Sequence, residues 1–255
     1  MVTLETKTDF HTYDEVEAAV WKLVEEHIEN GRFLTALGNG DFTAGQIAEF
    51  ALQYSYYSRN FPRVLGAAIA AVEPLDRWWV PLVDNLWDEA GRGNPKGFHS
   101  KMYRSFLETA APGVVINDEH VPQHPVGEAA KRAVQAFIDF LGQATTLQAM
   151  AAVGLGSELF AGKVMGLIGQ GLRHANYNGE QRINVGFWMA HADTHEPRHY
   201  QLCKEVLLDF NEPEQLAEIY RAGAAVALSE AQFYEELYQE LTGLQGTDSI
   251  LLSRA

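Results

Sequence analysis

The chain has 255 residues, of which 34 are acidic and 19 basic, giving a formal charge of −15. A surface this negative repels phosphate backbones, and with no offsetting Lys/Arg cluster, nucleic acid is excluded as a partner. The 47% apolar content supplies a substantial core, while no run approaches the ~20 uninterrupted apolar residues of a membrane span.

Nearly every segment carries helical periodicity. TYDEVEAAVWKLVEEHI places Thr12 three residues before Glu15, and FTAGQIAEFALQYSYYSRNF places Thr43 three before Gln46, both with the spacing of a capping box. LDRWWVPLVDNLWDEA and FHSKMYRSFLETA predict the next two helices, and VGEAAKRAVQAFIDFLGQA the fifth. LQAMAAVGLGSELFAGKVMGLIGQGL is apolar nearly all round, yet contains Glu158 and Lys163. INVGFWMAHADTHEPRHYQLCKEVLLDF predicts one long helix, and NEPEQLAEIYRAG opens the last, with Asn211 as N-cap and Pro213 in the first turn. The breaks GNGD, GRGNPKG, APGVVINDEHVPQHP and HANYNGEQ are rich in Gly, Pro, Asn and Asp. Only GVVI is strand-like, too short and isolated to build a sheet. The expectation is an all-α fold, a single compact bundle of about seven to eight helices over residues 1–244, with a loosely attached tail at 245–255. The acidic start lacks the order of a secretory signal and the single Cys203 has no internal partner, so a reducing cytoplasm is the expected compartment.

Chemistry concentrates in HADTHEPRHY. His191, His195 and His199 recur every fourth residue, so on a helix they share one arc of about 80° and span ~12 Å along the axis. That reach is too long for one ion on an undistorted helix and suits a pair of ions about 3.5–4 Å apart. Pro197 frees the carbonyl of Asp193 and predicts a kink that swings His199 toward the others. The competing reading is a polar stretch of surface helix rich in imidazole. Two other places add donors: Glu89 and His99 flank the GRGNPKG loop, and Glu158 is the lone acid of the apolar helix, where a carboxylate is costly unless a cation meets it. Lys163, a neighbouring arginine or a metal ion are the candidates to meet it. A set of imidazoles and carboxylates without thiolates suits iron or manganese better than structural zinc.

The stretches FTAGQIAEFALQYSYYSRNFPRVLGAAIA, NLWDEAGRGNPKGFH, GSELF, FWMAH and the trailing histidines together resemble the haem-oxygenase-like di-metal oxidases and oxygenases, the iron-containing redox enzymes. The resemblance covers roughly residues 35–205. It implies about seven core helices around two irons, or a manganese–iron pair, without haem. It also implies dioxygen as co-substrate, an external electron donor, and oxidation of a small amine, amino acid or carboxylic acid by N-oxygenation or oxidative carbon–carbon cleavage. The ligands it implies are Glu89, His99, Glu158, His191, His195 and His199, with Glu89, Glu158 and His195 in catalysis. His195 stands where the family usually has Asp; Asp193 or Glu196 would be the substitutes, and Asp88 is expected as a solvated neighbour of Glu89. Phe160, Trp188 and Leu159 are expected as apolar walls, and Tyr57, Arg63 and Lys163 as substrate contacts, against core packing for the tyrosine and a structural ion pair for the lysine. Relatives also suggest a homodimer, and the lack of a long apolar run leaves no membrane partner expected. Two other readings stay open: a metal-independent oxidase or hydrolase of the same fold, of the pyrroloquinoline-quinone-synthase or thiaminase-II type, and a non-catalytic metal-binding helical protein. The hydrolase needs a cavity cysteine, and Cys203 falls late on the histidine helix.

Overall fold

A computed structural model of the chain describes residues 9–94, 97–179, 182–192 and 196–243. Among these, the regular elements are helical, and GVVI contributes only to an isolated antiparallel bridge between Ile116 and Pro122. The expected all-α architecture is therefore present. The tail at 245–255 lies outside the described residues.

Chain order gives α1 (Tyr13–Val24), continued by a π-helical turn (Glu25–Glu29), then α2 (Arg32–Asn39), α3 (Ala44–Ala71), α4 (Asp76–Glu89), α5 (His99–Ala110) and α6 (Glu128–Leu141). The short α2 was not among the predicted helices. It turns its apolar face inward through Phe33, Leu34, Ala36 and Leu37. The Thr43 box closes as predicted, with Thr43 N–H donating to Gln46 at 2.8 Å and Gln46 N–H to the Thr43 hydroxyl at 3.2 Å. The Thr12 box closes only by half. Thr12 accepts from Glu15 N–H, but Glu15 accepts from His11 N–H, one residue outside the box.

The apolar run forms α7 (Thr146–Val153) and α8 (Leu159–Gly171), joined without interruption by a π turn (Gly154–Glu158) in which Leu159 N–H reaches back to the Gly154 carbonyl. This helix is long and apolar enough to cross a membrane by composition, but its most apolar stretch is 72% buried within the bundle. Its glycines permit that burial. A β-carbon on Gly156 would stand 2.6 Å from Val226 Cβ, and one on Gly154 2.8 Å from Cys203 Cβ. The backbone of the π turn thus lies directly against two later helices.

Those helices are α10 (Glu196–Leu207) and α11 (Pro213–Thr242), preceded by the short α9 (Gly186–Ala190). The single long helix expected over 183–210 is thus divided. α9 passes into π-type backbone at His191 and Ala192, and Pro197 falls in the first turn of α10, where its missing N–H leaves no helical bond unmade. The predicted N-cap of α11 moves by one residue. Glu212 caps it with Gln215 as reciprocal partner, because Pro213 is fixed at the first helical position and the cap must precede it. Asn211 instead donates to the Leu208 carbonyl at 3.0 Å.

Gly156→Ala places a methyl where Val226 already sits, and overpacking of this kind costs about 1–3 kcal/mol. Urea denaturation should show a loss of that size, whereas Gly38→Ala, with nothing near its added methyl, should be tolerated.

Candidate metal centre

One face of α4 organises the site. Asn85, Asp88 and Glu89 fall at i, i+3 and i+4 and so project together. Asn85 and Asp88 are buried, and the Glu89 side chain is only 10% exposed. Each meets a different element. Asn85 Nδ2 donates to Glu158 Oε1 at 2.7 Å, His199 Nε2 donates to Asp88 Oδ2 at 2.7 Å, and Glu89 Oε1 lies 2.9 Å from His99 Nδ1. Asp88 is therefore not the solvated neighbour expected; it also accepts from Arg198 and Arg92, at 3.0 Å each. Burial acts to raise its carboxyl, but the hydrogen bonds from Arg92 and His199 outweigh that and hold it at about 2.

The Glu89–His99 contact depends on the loop between α4 and α5. Gly91, Arg92 and Gly93 all take positive φ, and a β-carbon on Gly91 would stand 2.7 Å from the Gly97 carbonyl carbon. Backbone packs on backbone there, which only glycine allows, and the end of α4 is brought against the start of α5.

The histidines show a common plan. His191 Nδ1 donates to the Phe187 carbonyl at 2.7 Å, leaving Nε2 directed at His99 Nδ1, 3.1 Å away. His199 commits Nε2 to Asp88 and turns Nδ1 toward Glu158 Oε2 at 3.5 Å. A carboxylate or carbonyl that holds one imidazole nitrogen and presents the other is the usual support of a metal-binding histidine. Two groups result, Glu89–His99–His191 and Glu158–His199. Among the described residues no three acids or imidazoles enclose an ion-sized point; their donor atoms abut one another instead. In the first group the donor atoms stand 2.9 and 3.1 Å apart. His195 and Asp193 lie outside the described residues, as does the side chain of Glu196.

Glu89, His99, Glu158 and His191 open onto a shared cavity. Tyr57 is among the lining residues, and Arg63 and Lys163 are not. Arg63 is exposed and donates to Asn60, while Lys163 is exposed and pairs with Glu29 at 2.6 Å over the ring of Trp21. Both cations stay at the surface, where their charge remains hydrated. Lys163 is thus not the cation that meets Glu158. The apolar walls are Phe61, Ala161, Val164, Met165 and Phe187 rather than Phe160, Leu159 and Trp188. Phe160 and Trp188 are fully buried behind the cavity, Trp188 within the cluster of Phe50, Tyr54 and Phe106. Cys203 is absent from the lining, and its thiol is pushed up by burial and by the charge of Glu158. Sequence reasoning missed Asn85, whose signal was its four-residue spacing from Glu89. It also missed Glu230, an acid two residues after the apolar run AAVAL.

Asn85→Ala removes the amide held against a buried carboxylate, so urea denaturation should register a loss of about 1–3 kcal/mol. An unchanged midpoint would mean that Glu158 is held by other groups.

Comparison with known proteins places these observations. No curated protein matches the chain. Among solved structures, a CADD-like protein of unknown function from Nostoc punctiforme superposes with a TM-score of 0.71 at 16% identity, over 90% of this chain and 98% of its own. A domain of unknown function with a heme oxygenase-like fold from Shewanella denitrificans gives 0.66 at 14% identity, over 94% and 98%. A TenA homolog from Pseudomonas syringae pv. tomato gives 0.65 at 11% identity, over 92% and 96%. At these identities the likeness establishes the heme-oxygenase-like fold. The profile of the iron-containing redox enzymes matches residues 48–230, most of the chain and nearly all of the site. The chain belongs to the iron-containing redox enzyme family.

Proposed function

We propose that this protein is a non-haem di-metal oxidase or oxygenase that uses dioxygen to oxidise a small amine, amino acid or carboxylic acid, by N-oxygenation or oxidative carbon–carbon cleavage. The observation that carries the proposal is the paired anchoring of His191 by Phe187 and of His199 by Asp88 beside the buried Glu158 and the largely covered Glu89. Glu89, His99 and His191 would hold one ion, and Glu158 and His199 the other, with His195 as the sixth ligand. Two bound irons, or a manganese–iron pair, would supply the electrons and Lewis acidity for dioxygen chemistry, replenished by an external donor.

The chain's own residues prepare that chemistry. Glu89 and Glu158 bring negative charge into the bundle interior, which offsets bound cations and makes their ligation favourable. Asp88 fixes the tautomer and orientation of His199, and Arg92 and Arg198 hold Asp88 in turn. Phe61, Val164, Met165 and Phe187 keep water from the substrate beside the glutamates. In this reading Glu89 and Glu158, with His195, would act in catalysis. The hydrolase alternative is disfavoured because the chain's one cysteine is buried against Gly154, outside the cavity. The reducing cytoplasm fits a centre that must be re-reduced.

Protein grown with supplemented iron should carry about two metals per chain by elemental analysis. Glu158→Ala should lose at least the ion shared with His199. Asp88→Asn keeps the shape but weakens the hold on His199, so iron affinity should fall about 10–100-fold. Anaerobic ferrous protein should consume dioxygen when offered its substrate. A folded chain that takes up no metal under these conditions would overturn the proposal.

A further inference from the structure

The cavity holds one acid that the metal centre does not use. Glu230 lies on α11, which contributes no residue to the Glu89–His99–His191 and Glu158–His199 groups, and it lines the cavity with Tyr234, one turn further along the same helix, and Tyr57 from α3. Burial pushes its carboxyl up to about 8; hydrogen bonding from Tyr234 draws it down, the charge of Glu158 adds to the rise, and Tyr57 draws it down again. Nothing cationic offsets it from within, since among the described residues that line the cavity there is no lysine or arginine. Basic side chains close in sequence to Tyr57, Phe61 and Ala161 are engaged elsewhere: Arg59 with Ser55 and the ring of Tyr56, Arg63 with Asn60, and Lys163 with Glu29.

We propose that Glu230, flanked by Tyr57 and Tyr234, is the ammonium-binding subsite of this cavity, so that the substrate is an amine rather than a carboxylic acid lacking an amino group. This deepens the oxidase proposal and rests on it for the reaction, though not for the binding. The chemistry of the lining sets the class. Bound metal would neutralise Glu89 and Glu158 but not Glu230, so a substrate carboxylate lying beside Glu230 would meet an acid and find no side-chain cation to pair with. An ammonium supplies the missing cation: its charge favours the ionised form of Glu230 that burial opposes, and the resulting pair is strong in a site of low dielectric. Phe61, Ala161, Val164 and Met165 line the same cavity with apolar surface, which suits a short hydrocarbon chain on that amine. The two tyrosine hydroxyls orient the carboxylate and mark the position of the nitrogen.

The test is calorimetric binding of hexylamine and of hexanoate, matched in chain and opposite in charge, to anaerobic iron-loaded protein and to iron-free protein. Wild-type protein should prefer the amine by about tenfold or more with or without iron, and Glu230→Gln should weaken the amine by about tenfold or more while leaving hexanoate and iron content unchanged. Equal binding of the two probes, or amine binding that persists unchanged in a folded Glu230→Gln variant, would overturn the subsite. Should that variant not fold, the wild-type preference decides only where it holds in both forms: bound iron neutralises Glu89 and Glu158, and iron-free protein excludes coordination of the amine to iron; a preference confined to one form would overturn the subsite. Failure of the oxidase proposal looks different: the chain takes up no iron, yet the preference for the amine and its loss in Glu230→Gln remain.

Discussion

The structure turns on the cost of burying carboxylates. Asp88, Glu89 and Glu158 lie in the interior of a helical bundle, where an unpaired charge is far more expensive than in water. Each has therefore acquired a partner from a distant segment. His199 and two arginines meet Asp88, His99 meets Glu89, and Asn85 and His199 meet Glu158. These pairings tie α4 to α5, α10 and the π turn before α8. The side chains that would bind metal thus also help fix how four parts of the bundle sit against one another.

Local departures from regular helix provide the precision. The π turn Gly154–Glu158 carries Glu158 at its end, and the backbone turns π-like again at His191. Such turns shift side chains around the helix axis and recur at functional sites. The glycines at 154 and 156 let the first of them press against α10 and α11, so Glu158 is held by backbone packing as well as by hydrogen bonds. The loop from Gly91 to Gly97 does the same for Glu89 and His99, with left-handed backbone and a glycine-on-glycine contact at its base.

The cavity shows a division of labour. One set of helices presents nitrogen and oxygen donors, and α11 presents Glu230 and Tyr234 with a different chemistry. The cations that a sequence reading would draw inward, Lys163 and Arg63, remain in water, where long charged side chains cost least. Their absence leaves the cavity acidic, and that acidity bears on what it can hold.

Much of this was legible in the sequence. Helical periodicity, the Thr43 capping box and the turn residues specify the all-α class, because these signals are local and each acts within a few residues of its source. The donor residues Glu89, His99, Glu158, His191 and His199 stood out because acids and imidazoles are rare in apolar helical surroundings. Tertiary structure alone decided their pairing. Only packing between helices shows that Asp88 supports His199, that Asn85 reaches Glu158, or that Lys163 turns away to Glu29, since these partners are separated by tens of residues or more and no spacing rule connects them. The division of the histidine helix was half visible, in Pro197. Where the break fell depended on how α9 and α10 pack against the glycine-rich core helix. Local sequence chose the elements and the chemical groups; the long-range geometry of burial chose which of those groups face one another.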